Sequence, residues 1–290
     1  MNYAQYVREK ITSLRLQKDI SELATQGEIT NALALNGLIA AMNGQTSFAT
    51  RALPGYYVGR RDSSTVMVML NHGINVAVAN GNLQRDITFR RMNGINDIVN
   101  YHKSSENFGT LDKRRMDPFD IKTAFFIKKW ANNGINLPLN LSPRSCKQTK
   151  LNAKEAVLNE KLQLELIPYA SSTFKEFNAQ DISKLFPYVE TLFDEIFSKE
   201  RKYVIFCSRI FEQVFEAYER QHPGHIKFRD EQKYEIPDLK FKCSCRVIEI
   251  TYKGVTKKAI IANTFPHQAL TNAYQQMEAY GDFCYQEYIK

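Results

Sequence analysis

The chain lacks any apolar run approaching the ~18 residues of a membrane span. Its opening stretch, MNYAQYVREK, is charged rather than built like a secretory leader. Both absences imply a cytoplasmic protein with no membrane association. Cysteine is scarce and scattered, at Cys146, Cys207, Cys243, Cys245 and Cys284. The one close pair, Cys243 and Cys245, would point both thiols to the same side of a strand, whereas zinc sites need two such pairs or a pair plus histidines. Reduced thiols and no metal are therefore expected. Also missing are a G-x-G-x-x-G loop, a G-x-S-x-G elbow and an H-E-x-x-H helix, and GQTSF lacks the lysine of a phosphate-binding loop. Nothing here calls for a cofactor. There is no internal repeat, low-complexity tract or long Pro/Gly/Ser linker, so one domain with insertions is the economical reading.

What is present is an ample core and an excess of positive charge. Of the 290 residues, 43% are hydrophobic, and 39 Lys and Arg against 31 Asp and Glu leave a net charge of +8. That excess is compatible with a polyanion such as nucleic acid, although many basic proteins bind none, and a monomer is the simplest state. Two basic groups stand out, TFRRMNG (Arg90, Arg91) and LDKRRMD (Lys113, Arg114, Arg115). Each reads equally well as a DNA contact or as a solvated surface.

Four short apolar runs punctuate the chain: VMVML (66 to 70), LQLELIP (162 to 168), YVIFCS (203 to 208) and KAIIANT (258 to 264). Amphipathic helical patterns lie between and after them. Val189, Leu192, Phe193, Ile196 and Phe197 share one face, with Pro187 fitting the first turn. Ile210, Phe211, Val214, Phe215 and Tyr218 share another, and Leu270, Ala273, Tyr274, Met277 and Tyr280 a third. Continuous apolar strands alternating with such helices predict an α/β fold with three layers, α/β/α, around a central, mainly parallel four-stranded sheet. Residues 1–45 read as helical, and 235–263 as strand-rich with a turn at Lys253-Gly254. Ligands of such sheets bind beyond the carboxyl ends of the strands. Those ends are Asn71-His72-Gly73, Glu165 to Ser172, Cys207-Ser208 and Asn263 to Gln268.

Taken in order, these ends resemble the motifs of the uracil-DNA glycosylase superfamily. MLNHG (69 to 73) is similar to the G-I-N-P-G motif of the mismatch-specific thymine/uracil branch, with Asn71 on the asparagine, Gly73 on the last glycine and His72 in place of the proline. ELIPYASS (165 to 172) resembles the second motif, N-x-x-P, with Glu165 on the asparagine. TFPHQAL (264 to 270) resembles H-P-S-P-L-S, with a proline in place and Phe265 where the family has histidine. The resemblance covers residues 55 to 285. It implies residues 1–50 as an N-terminal helical extension and 51–290 as a glycosylase-like domain with an insertion at about 80–160.

What the resemblance implies is base excision: a nucleotide is rotated out of the stack, held, and hydrolysed at its glycosidic bond through an oxocarbenium-like state. Asn71 would position the water; the alternative is an asparagine that caps a turn. His72 would contact a phosphate or the leaving base, unless it is simply hydrogen-bonded structure. Glu165 would read the base edge. An ionised carboxylate only accepts hydrogen bonds, which suits the exocyclic amine of a cytosine-type base, the modified cytosines of foreign DNA included, and opposes O4 of uracil. The competing reading is an ordinary ion pair. His267 would assist the departing base or hold a phosphate at a helix N-terminus. Gln268 or Leu270 would fill the gap left by the base, although Leu270 also fits the buried helix stripe. Phe89 or Tyr169 would form an aromatic floor.

IPDLKFK (236 to 242) superficially matches a metal-dependent nuclease pattern but lacks a second acidic strand. Two alternatives to a cytosine-directed enzyme stay open: a uracil/thymine repair glycosylase, and a non-catalytic DNA- or partner-binding protein of the same fold.

Overall fold

The computed structural model describes residues 14–42, 44, 46–51, 54–60, 62–71, 118–131, 135, 137, 141–142, 144–171, 182–235, 242–265 and 274–290. They divide into two compact units. The first draws on Met1–Tyr57, Leu70–Gly109 and Glu165–Gln180, the second on Val58–Met69, Thr110–Leu164 and Asp181–Lys290.

The second unit carries the sheet apart from two strand-end residues, Tyr57 and Glu165, which fall in the first. Its strands are β1 (Tyr57–Gly59), β2 (Thr65–Met69), β3 (Leu162–Glu165), β4 (Tyr203–Phe206), β5 (Ile226–Glu235), β6 (Lys242–Tyr252) and β7 (Val255–Ala262). The fold is α/β, but seven strands take the place of the expected four, in the order β1-β3-β2-β4-β7-β6-β5. β2 pairs parallel with β4, and β4 with β7, with Met67 opposite Ile205 and Ile205 opposite Ile260. β7, β6 and β5 continue antiparallel. The four apolar runs thus contribute four adjacent strands, and the correction comes from the flanks. β5 (IKFRDEQKYE) buries only Ile226, so its sequence carries no strand-like apolar signature. β1 is three residues long, too short to show a periodicity. Gly59 ends it at φ 89, and a Cβ there would overlap the Lys161 carbonyl, so only glycine allows this approach.

The central strands are buried on both faces, which is why they read as unbroken apolar runs. Val66, Met67, Val68, Val204, Ile205 and Phe206 are fully buried, each worth roughly 1.5–3 kcal/mol of apolar transfer. Met67, Ile205 and Ile260 belong to a core cluster shared with α3 (Pro118–Phe126), α4 (Lys147–Glu160), Trp130 and α7 (Tyr274–Ile289). From the next residue along the strand, Phe206 meets Phe211 and Phe215 of α6 (Ile210–Gln221) at centroid distances of 5.1 and 4.7 Å. Phe215 in turn meets Phe193 of α5 (Phe186–Phe197) at 5.9 Å. Pro187 stands in the first turn of α5, as its sequence implies. Lys253 and Gly254, at φ 49 and 78, form the tight β6–β7 turn.

The first unit contains α1 (Leu14–Gln26) and α2 (Thr30–Ala41), in the region that reads as helical. Ile29, Ala32, Leu35 and Ile39 are buried, while Leu33 is 44% exposed. Among the described residues no helix is long and apolar enough to cross a membrane.

Candidate functional site

β2 pairs parallel with β4, and it is the strand from which the chain leaves toward β3 on one side and later β4 on the other. Such a reversal of strand order is where open α/β sheets bind ligands. Asn71 follows β2 by two residues, in the first unit.

Two stretches of the first unit flank residues 165–171. On one side the Ile167 amide donates to the Leu70 carbonyl at 2.8 Å. On the other, Glu165 N–H donates to Tyr56 O (3.2 Å), Gly55 N–H to Pro168 O (2.6 Å) and Ala49 N–H to Ala170 O (2.8 Å). Phe48 and Ser171 form an isolated antiparallel bridge. Asn36 of α2 clasps Phe48 at both backbone groups, accepting from its N–H at 2.6 Å and donating to its carbonyl at 2.9 Å. Buried backbone here is therefore paired without belonging to a regular sheet.

Asn71 is half-buried and held at its amide nitrogen. Nδ2 donates to Ser171 Oγ at 2.5 Å and to the Tyr169 carbonyl at 3.3 Å. These two bonds use both amide hydrogens, which fixes the plane of the side chain. What such an amide brings to a water is acceptance through Oδ1.

Glu165 ends β3 with 3% exposure. Tyr169 is 1% exposed and donates its hydroxyl to Asp19 Oδ2 at 2.8 Å. Tyr56 donates to the same oxygen at 2.7 Å, and Asn31 Nδ2 to Oδ1 at 3.1 Å. Asp19 is fully buried. Burial raises its pKa above the ordinary aspartate value, opposed by the three donors, and neighbouring Glu22 adds to the rise. Burial, then the Asp19 charge, drives the Tyr56 hydroxyl far above its usual range, so it remains a donor.

The structure thus brings together three of the predicted site residues, Asn71, Glu165 and Tyr169, in one unit. His72, Phe89, Arg90, Arg91, Lys113, Arg114, Arg115, His267, Gln268 and Leu270 lie outside the described residues. Sequence reasoning missed Asp19, Asn31 and Ser171. Asp19 sits in LRLQKDISELATQ, a polar helix where nothing distinguishes it from a solvated aspartate.

The second unit holds another polar group at strand ends. Asn263 Nδ2, just past β7, donates to Glu212 Oε1 at 3.0 Å and Glu231 Oε1 at 3.1 Å. Arg246 lies 3.5 Å from Glu216 and 3.9 Å from Glu212. These partners balance one another as a structural network. Cys243 and Cys245 are both buried on β6. Among the described residues no three His, Cys, Asp or Glu side chains are grouped to hold a metal ion.

Comparison with family models, curated proteins and solved structures gives no match in any of the three.

Proposed function

We propose that the chain is a DNA glycosylase that hydrolyses the N-glycosidic bond of a flipped base, with a modified cytosine-type base as its substrate. The observation that carries this reading is Asn71. It follows the strand at the reversal of sheet order, and its amide plane is fixed by Ser171 and the Tyr169 carbonyl. A polar group locked in this way orients a water without a reorganisation cost at the moment of reaction. In the reaction the water oxygen bonds to C1′, the C1′–N bond breaks with its electron pair leaving on the base nitrogen, and the proton lost by the water ends on the departing base.

Glu165 supports the choice of base. A carboxylate at 3% exposure accepts hydrogen bonds, and an exocyclic amine is what it would recognise. The net charge of +8 supports DNA as the partner. A three-layer α/β/α arrangement is part of the same proposal, supported by helices packed on both faces of the central strands. His72 and His267 remain proposed participants in base departure, and Arg90, Arg91, Lys113, Arg114 and Arg115 proposed backbone contacts. The fixed Asn71 amide also suits a non-catalytic DNA-binding protein, in which it is purely structural.

The test uses purified chain and DNAs carrying cytosine, methylated cytosine, hydroxymethylated cytosine or uracil, with alkali-labile strand breaks as the readout. Breaks from a cytosine-type base that vanish in Asn71→Ala, with DNA affinity retained, support the proposal. Efficient release of uracil alone overturns the choice of base, and release of none overturns the enzyme.

A further inference from the structure

The Asp19 carboxylate lies at the junction of two paths into the site. Its Oδ2 accepts from Tyr56 at 2.7 Å and from Tyr169 at 2.8 Å. Each tyrosine then presents its own backbone carbonyl to a different site residue. The Tyr169 carbonyl accepts from the Asn71 amide at 3.3 Å, and the Tyr56 carbonyl accepts from the Glu165 backbone N–H at 3.2 Å. One buried oxygen therefore anchors both the residue proposed to hold the water and the residue proposed to read the base. Asn31 fixes the other oxygen at 3.1 Å, so the carboxylate cannot rotate without losing a donor.

Burying a lone carboxylate is costly, and it is tolerated here because three donors converge on it. A core position of this kind is otherwise filled by an apolar residue at lower cost. The helix α1 that carries Asp19 would be dispensable if it merely extended the domain.

We propose that Asp19 is a positioning residue that sets water placement through Tyr169 and base choice through Tyr56. The assignment rests on the base-excision reading of Asn71 and Glu165. It makes the N-terminal helices part of the site, and it separates two functions at one carboxylate. Loss of the Tyr169 hydroxyl loosens the carbonyl that shares the Asn71 amide with Ser171, and loss of the Tyr56 hydroxyl loosens the carbonyl that accepts from the Glu165 N–H.

Tyr169→Phe, Tyr56→Phe and Asp19→Asn variants of the 290-residue chain test this by two readouts. In 15N-labelled protein, Tyr169→Phe should shift the Asn71 side-chain amide resonance and leave the Glu165 backbone amide in place. Tyr56→Phe should do the reverse, and Asp19→Asn should move both, with the Asn263 side-chain amide as an unmoved control. In single-turnover base release, Tyr169→Phe should slow the reaction about tenfold at unchanged DNA affinity and unchanged base preference. Tyr56→Phe should instead alter the ratio of cytosine-type to uracil release. Resonances that stay in place in all three variants overturn the role of Asp19, and so do resonances that shift together in both tyrosine variants. If the wild-type chain releases no base from any DNA, the base-excision reading fails, while the resonance pattern still decides whether Asp19 holds the two positions.

Discussion

Replacing Glu165 by glutamine keeps the volume and the burial of the side chain and changes only its hydrogen-bonding character. Glutamate at 3% exposure presents acceptors alone, whereas glutamine presents one acceptor and a two-hydrogen donor. Against the exocyclic amine of a cytosine-type base, the exchange removes a charge-assisted bond worth about 1.5–3 kcal/mol. Against uracil it replaces a repulsion at O4 by a donor and keeps an acceptor for N3–H, and base discrimination through such contacts is worth about 1–3 kcal/mol. At about 1.4 kcal/mol per factor of ten, cytosine-type release should fall roughly 10–100-fold and uracil release should rise by a comparable factor. Single-turnover excision from two oligonucleotides differing only at the target base measures both rates. Glutamine also removes a buried charge, so the urea midpoint should hold steady or rise. An unchanged ratio of the two rates in a folded variant refutes the assignment of Glu165 as the base reader.

Gly281 of α7 lies against α3, where an added Cβ would overlap the Phe126 carbonyl, and its own carbonyl accepts from Trp130 Nε1 at 3.1 Å. Gly281→Ala should therefore destabilise by about 1–3 kcal/mol or more in urea titration, and an unaltered midpoint would contradict this packing. Cys146 is exposed at the start of α4, its thiol 3.0 Å from Thr149 Oγ1 and its pKa lowered by that bond and by the Thr149 backbone amide. A thiol reagent should modify Cys146 rapidly in the native chain and reach Cys207, Cys243, Cys245 and Cys284 only after unfolding, and Cys146→Ser should abolish the fast phase. Because burial raises the Asp19 pKa above 3.8, with Glu22 adding to it and Tyr56, Tyr169 and Asn31 opposing it, its contribution to stability is complete below 3.8 and lost as the pH rises through the raised value. Wild type should accordingly gain stability relative to Asp19→Asn as the pH falls from 7 toward 4, and a difference that is flat or grows with rising pH would contradict the shift.

The legible part of the fold was the part driven by apolar burial. β2, β4 and the last four residues of β7 are buried between neighbouring strands, so they read as apolar runs whose positions and polar ends could be seen directly, and β3 is buried although it carries Gln163 and Glu165. The flanking strands escaped notice for the converse reason: β5 exposes most of its length and β1 is three residues long. In the site, Asn71 and Glu165 were legible because each interrupts an apolar run. Tyr169 was legible only as an aromatic near a motif, and its buried hydroxyl and carbonyl carry more than its ring. Asp19 was invisible because its meaning depends on Tyr56 and Tyr169, which are distant in sequence. No periodicity marks a helical aspartate that faces inward.

The central claim, that Asn71 places a water for base excision, is tested most directly by comparing wild type with Asn71→Ala on DNA containing hydroxymethylated cytosine. Released base and abasic sites are counted together, and DNA affinity is measured in parallel. Wild type should release base and accumulate abasic sites, while the variant binds the same DNA with most of its affinity and releases none, because phosphate contacts supply most of the binding. Equal release by the two proteins would contradict the role of Asn71. No release by wild type from this or any other cytosine or uracil derivative would contradict the account as a whole.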